Sequence, residues 1–129
     1  MDGGFVNERK VLIVDDSETI RQQVASALER AGFGVVEATD GIDGLERASQ
    51  NELCMVILDV NMPRLNGLEM LERLKSDPRH AKLPVLMLTT EVQQSMIERA
   101  KKAGARGWMI KPVKMDQLVS TVNKLTSMH

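Results

Sequence analysis

This sequence has little that suggests oxidation chemistry, membrane insertion or aromatic stacking. Of its 129 residues only Cys54 is a cysteine, so no disulfide can form within the chain, and a cytoplasmic setting is expected. The aromatic residues are Phe5, Phe33 and Trp108, too few for a flavin pocket or a base-stacking platform. The longest apolar run, residues 53–58, falls far short of the ~20 residues of a membrane span. The opening Met1-Asp2-Gly3-Gly4 has no basic stretch leading into an apolar one, so no signal peptide is expected. Net charge is −1, which argues against a dedicated nucleic-acid binder. Gly-x-Gly-x-x-Gly, Gly-x-x-x-x-Gly-Lys-Ser/Thr and Gly-x-Ser-x-Gly are all missing. Dinucleotide binding, a P-loop and a nucleophile elbow are set aside with them.

What remains is an ordinary globular composition, 43% apolar and 27% charged. The length fits one domain spanning residues 1–129, with residues 1–8 and 127–129 expected to fray. Charge is unevenly spread. Residues 98–129 hold seven basic side chains (Arg99, Lys101, Lys102, Arg106, Lys111, Lys114 and Lys124) against Glu98 and Asp116. A basic face for an acidic partner and a plain solvated surface both fit that excess.

Five short apolar runs have the character of strands: Val11-Leu12-Ile13-Val14, Val35-Val36-Glu37-Ala38, Met55-Val56-Ile57-Leu58, Val85-Leu86-Met87-Leu88 and Trp108-Met109-Ile110. Four are nearly continuous in apolar character, as a sheet covered on both faces requires. Helical stripes lie between them: Ile20, Val24, Ala27, Leu28 and Ala31; Leu68, Leu71 and Leu74; Met96, Ile97, Ala100 and Ala103; Met115, Leu118, Val119, Val122 and Leu125. Gly32 and Gly104 sit where left-handed helix ends are expected. A βα unit repeated five times predicts an α/β fold, a five-stranded parallel sheet with helices on both faces.

Ligands of such sheets bind beyond the carboxyl ends of the strands. Asp15-Asp16-Ser17 follows the first run, Asp59 the third, Thr89-Thr90 the fourth and Lys111-Pro112 the fifth. Three carboxylates, a hydroxyl and an amine are thereby expected on one rim. Close carboxylates repel, and a hard divalent cation such as Mg²⁺ relieves the conflict. Such a site suits phosphoryl transfer, with Asp59 as the natural nucleophile. Plainer roles compete at each position. Asp16 or Ser17 can cap the helix starting near Glu18, and Thr90 with Gln93 fits a capping box. Lys111-Pro112 and Asp40-Gly41 read as turns. His80 is expected in an exposed loop, the nine methionines in the core, and Cys54 as a small buried apolar residue.

On these residues the chain resembles the receiver domain of two-component response regulators, of the stand-alone chemotaxis type. The resemblance rests on Val11-Leu12-Ile13-Val14-Asp15-Asp16-Ser17, Leu58-Asp59-Val60-Asn61-Met62-Pro63 with Asn66-Gly67-Leu68, Leu88-Thr89-Thr90, and the run from Ala103 through Gly104-Ala105-Arg106-Gly107-Trp108-Met109-Ile110 to Lys111-Pro112. It implies a flavodoxin-like (βα)5 sheet of strand order 2-1-3-4-5. It implies Asp59 as phosphoacceptor, and Asp15, Asp16, Asp59 and the Asn61 backbone carbonyl as holders of Mg²⁺. Thr89 matches the switch hydroxyl, Lys111 the phosphoryl-pairing lysine and Trp108 the aromatic switch. Asn61 and Glu91 match positions that tune phosphoryl lifetime, and a cis bond is implied before Pro112. A histidine kinase is then the phosphodonor. The downstream protein target is expected on the face of the fourth helix, fifth strand and fifth helix, with no nucleic acid or membrane partner and a monomeric state. The protein is read as a signalling switch and not an enzyme, assisting only its own phosphorylation and dephosphorylation. Two alternatives stand beside it: a phosphorelay carrier feeding a histidine phosphotransferase, and a Mg²⁺-dependent phosphohydrolase.

Overall fold

The computed structural model describes residues 9–127. The elements run β1 (Lys10–Val14), α1 (Glu18–Arg30), β2 (Gly34–Ala38), α2 (Gly41–Gln50), β3 (Met55–Leu58), α3 (Gly67–Ser76), a 3-10 turn (Pro78–His80), β4 (Val85–Thr89), α4 (Gln94–Ala103), β5 (Gly107–Ile110) and α5 (Met115–Thr126). All five strands are parallel, in the order β2-β1-β3-β4-β5. That is the order and fold expected. The fraying expected of residues 1–8 and 128–129 lies outside the described residues. Ser127 is described, and its N–H closes α5 on the Asn123 carbonyl at 3.2 Å.

Strand alternation divides the interior into two cores. Leu12, Val14, Val56, Leu58, Val85 and Met87 face α2, α3 and α4 with Leu68, Leu71, Leu74 and Ala100. Val11, Ile13, Met55, Ile57, Leu86 and Leu88 face α1 and α5 with Val24, Leu28, Leu118, Val122 and Leu125. The central strands are buried except for Lys10 at the start of β1, while β2 and β5 are partly exposed because each has a neighbour on one side only. Among the described residues, no helix is long and apolar enough to cross a membrane.

The helix ends bear out one expectation, the cap of α1, and correct those for Thr90, Asp40-Gly41 and His80. Ser17 caps α1, accepting from the Ile20 N–H. The Thr90 capping box does not form: α4 begins at Gln94, Gln93 occupies the cap with no side-chain bond, and Thr90 is exposed in the β4–α4 loop. The loop is shaped by different bonds, Thr89 Oγ1 accepting the Glu91 N–H at 3.2 Å and a Glu91 carboxylate accepting the Gln93 N–H at 3.3 Å. Asp40-Gly41 is not an isolated turn but the start of α2, where Asp40 Oδ1 accepts the Asp43 N–H at 2.8 Å. His80 is not an exposed loop residue either. It lies in the 3-10 turn with its side chain only 14% exposed, and Nδ1 is buried without a hydrogen-bond partner. Cys54 is half-buried one residue ahead of β3, packed on the α1/α5 core, where burial raises its thiol pKa. Gly32 and Gly104 take φ of +96° and +101°, as expected.

Candidate phosphoacceptor site

Parallel strands end together, so residues that follow β1, β3, β4 and β5 share one rim. Asp15 leaves β1 with its N–H on the Ala38 carbonyl at 3.1 Å, and Asp59 leaves β3 with its N–H on the Val14 carbonyl at 3.0 Å. The backbone pairing of three adjacent strands thus fixes both carboxylates. Asp15 is 3% and Asp59 7% exposed, whereas Asp16 is open to solvent. Oxygen atoms of Asp15, Asp16 and Asp59 lie within 4.8 Å of one another.

Lys111 enters this cluster from β5, its N–H held by the Thr89 carbonyl at 2.9 Å and its peptide bond to Pro112 cis. Nζ donates to Asp15 Oδ2 at 2.6 Å and to Asp59 Oδ2 at 3.2 Å. Burial alone would lower the lysine pKa. The Asp15 and Asp59 carboxylates outweigh it and raise the pKa above the usual lysine value. The remaining oxygens are also engaged: Asp15 Oδ1 accepts the Ser17 N–H at 2.9 Å and Asp59 Oδ1 the Asn61 N–H at 3.4 Å. Three carboxylates against one ammonium leave two negative charges on an all-oxygen donor set. A hard divalent cation fits that charge and those donors.

The switch candidates lie beside the cluster. Thr89 is fully buried, and its hydroxyl accepts the Glu91 N–H, so its own proton remains free to be donated. Trp108 sits opposite Met87 across the β4–β5 ladder, half-buried against the α2/α3/α4 core. Its indole N–H donates to the Glu91 carbonyl at 3.1 Å. One residue, Glu91, therefore links the Thr89 hydroxyl to the Trp108 ring. Asn61 is exposed in the β3–α3 loop.

Two supports were not read from the sequence. Arg21 on α1 donates from Nη1 to the Asp15 carbonyl at 2.6 Å and from Nε to Glu37 at 3.1 Å. Arg64 donates from Nε and Nη2 to the two Asp40 oxygens at 2.8 and 2.9 Å. That guanidinium holds the Asp40 carboxyl below the usual aspartate value, with the Asp43 N–H helping. The Asp40-Gly41 pair marked the place, but nothing local in the sequence names Arg64 as its partner.

A family model described as the response regulator receiver domain matches residues 11–123. Chemotaxis protein CheY1 of Helicobacter pylori is 37% identical over 105 residues, 80% of this chain and 85% of that protein. Protein PilH of Pseudomonas aeruginosa is 36% identical over 114 residues, 88% of this chain and 94% of its own. Among solved structures, chemotaxis protein CheY4 of Vibrio cholerae superposes with a TM-score of 0.87 at 37% identity, covering 92% of this chain and 99% of the other. The match to the receiver model spans all five strands and nearly all of α5, and this chain belongs to the response regulator receiver domain family, the CheY-like phosphoaccepting switches of two-component signalling.

Proposed function

We propose that Asp59 accepts a phosphoryl group from the phosphohistidine of a histidine kinase and that the modified chain signals to an acidic protein partner, in chemotaxis and in the cytoplasm. The observation that carries this reading is the meeting of Asp15, Asp16 and Asp59 within 4.8 Å, with Lys111 bonded to two of them. An Asp59 carboxylate oxygen attacks phosphorus in line, an O–P bond forms and the N–P bond breaks, and imidazole leaves. Asp15, Asp16, Asp59 and the Asn61 carbonyl would hold Mg²⁺, which supplies charge neutralisation at the phosphoryl oxygens. Lys111, already at Asp59 Oδ2, stands where negative charge develops and stabilises it without moving far.

Signal output follows from bonds made by the 89–91 segment. A phosphoryl oxygen attracts the Thr89 proton. Movement of Thr89 disturbs its bond with the Glu91 N–H, and the Glu91 carbonyl carries the change to Trp108. The result is a shifted balance between two arrangements of the α4, β5 and α5 face. That face carries exposed Lys101 and Lys114, with Val92 65% and Ile110 42% exposed. A positive surface with small apolar points suits an acidic partner segment.

Incubation with acetyl phosphate and Mg²⁺ tests the reading. The wild-type chain is expected to acquire acid-labile phosphate and the Asp59→Asn variant none. Persistence of that phosphate at normal stoichiometry in the variant would refute the assignment.

A further inference from the structure

The loop from Asp59 to α3 carries Asn61, yet it is tied down mostly by residues outside the acidic cluster. Its near end is fixed by the Gly67 N–H on the Val60 carbonyl at 2.9 Å, and a Cβ at Gly67 would lie 1.9 Å from the Asp59 carbonyl oxygen. Its outer half is held from α2. The Gly41 N–H donates to the Leu65 carbonyl at 3.1 Å, and Arg64 forks both nitrogens onto Asp40. Asp40 is a rigid anchor: it is 7% exposed, it caps α2, and it lies two residues beyond Ala38, whose carbonyl holds the Asp15 N–H. The Arg64–Asp40 fork therefore spans from the strand end beside Asp15 to the loop that bears Asn61.

Arg64 also has a conformation that needs a cause. Its φ is +65°, and it is the sole non-glycine residue with positive φ among the described residues. Left-handed backbone disfavours a long L side chain, and asparagine or glycine adopts it more readily. Arginine in that conformation makes sense where its planar, bidentate fork is used.

We infer that the Arg64–Asp40 pair is a positioning clamp that holds the β3–α3 loop so that the Asn61 carbonyl faces Asp15, Asp16 and Asp59 as a ligand for a divalent cation. The inference rests on the metal reading given above. It makes a prediction opposite in sign to plain electrostatics. Removing the Arg64 charge should, by charge alone, tighten cation binding. Losing the clamp should loosen it, because the loop must then be ordered at the expense of binding.

The test is isothermal titration of Mg²⁺ into wild type, Arg64→Asn, Asp40→Asn and the double variant, with thermal midpoints measured in EDTA. Asparagine tolerates the left-handed conformation at position 64 and keeps the α2 cap at position 40. Arg64→Asn should weaken Mg²⁺ about tenfold, the lower end of the loss when an outer support of a metal site is removed. Its midpoint in EDTA should fall by a few degrees at most, since Arg64 is largely exposed and the buried Asp40 carboxylate keeps the Asp43 N–H. The double variant has wild-type net charge and should lose no more affinity than Arg64→Asn alone, because both changes break one clamp. Unchanged or tighter Mg²⁺ binding in Arg64→Asn, with wild type binding normally, overturns the clamp alone. Failure of wild type to bind Mg²⁺ overturns the metal reading and the clamp with it.

Discussion

Replacing Lys111 by methionine isolates the positive charge that the acidic cluster carries without a metal. Nζ lies 2.6 Å from Asp15 and 3.2 Å from Asp59, and the lysine side chain is 14% exposed. Methionine keeps an apolar stem of similar reach and leaves the two covered carboxylates facing each other. Removing one partner of a buried pair costs ~3–5 kcal/mol. Lys111 keeps some water and Asp15 keeps the Ser17 N–H, so a loss of about 2 kcal/mol is expected without divalent ion. For a chain of this size that lowers Tm by about 8 °C. The same ammonium competes with a cation for Asp15 and Asp59. Its removal should therefore tighten Mg²⁺ binding, and ~1.4 kcal/mol of relieved competition corresponds to tenfold in Kd. Added Mg²⁺ then recovers part of the lost stability, because it binds only the folded cluster. Melts followed by circular dichroism, in EDTA and across a Mg²⁺ series, measure both effects. A variant as stable as wild type in EDTA, or one that binds Mg²⁺ no better, would refute this reasoning.

Three further perturbations probe the supports. Trp108→Phe removes the indole donor to Glu91 at 3.1 Å and should cost about 1 kcal/mol in urea unfolding; circular dichroism must follow it, since Trp108 is the single tryptophan, and an unchanged midpoint would show that the bond contributes nothing. Gly67→Ala drives a Cβ to within 1.9 Å of the Asp59 carbonyl oxygen and should destabilise by more than ~3 kcal/mol while slowing phosphorylation by acetyl phosphate; wild-type stability would mean that the loop yields easily. Asp77 is held at about 2 by hydrogen bonds from Arg79. A lowered folded pKa contributes stability that is present above the ordinary value of 3.8 and lost as pH falls towards 2. The Tm gap between wild type and Asp77→Asn should therefore be open at pH 6 and closed near pH 2, and a gap independent of pH would contradict the pairing.

The fold was legible where burial is complete. The runs at 11–14, 55–58 and 85–88 are apolar on both faces because they become the central strands β1, β3 and β4. The second helix has no leucine stripe. It packs through Gly41, Gly44, Leu45 and Ala48 instead, and a Cβ at Gly44 would lie 2.7 Å from Met70 Sδ. Positions 41, 44, 45 and 48 keep helical spacing, but glycine and alanine at three of them make the apolar stripe hard to see. The Thr90 cap failed because competing local side-chain bonds shape the loop: Thr89 Oγ1 takes the Glu91 N–H and the Glu91 carboxylate takes the Gln93 N–H, so α4 starts only at Gln94. The rim was legible because strand ends are set by topology, which puts Asp15, Asp59, Thr89 and Lys111 side by side despite up to 96 residues of separation. Arg64 was not legible. Neither its positive φ nor a partner 24 residues away is encoded by its neighbours.

Reductive trapping tests the central claim most directly. The chain is incubated with acetyl phosphate and Mg²⁺, any acyl phosphate is reduced by borohydride to the alcohol, and the modified residue is located by peptide mass mapping. Homoserine at position 59, abolished by EDTA, is the expected result. Homoserine at Asp15 or Asp16, or no trapped residue at all, would contradict it.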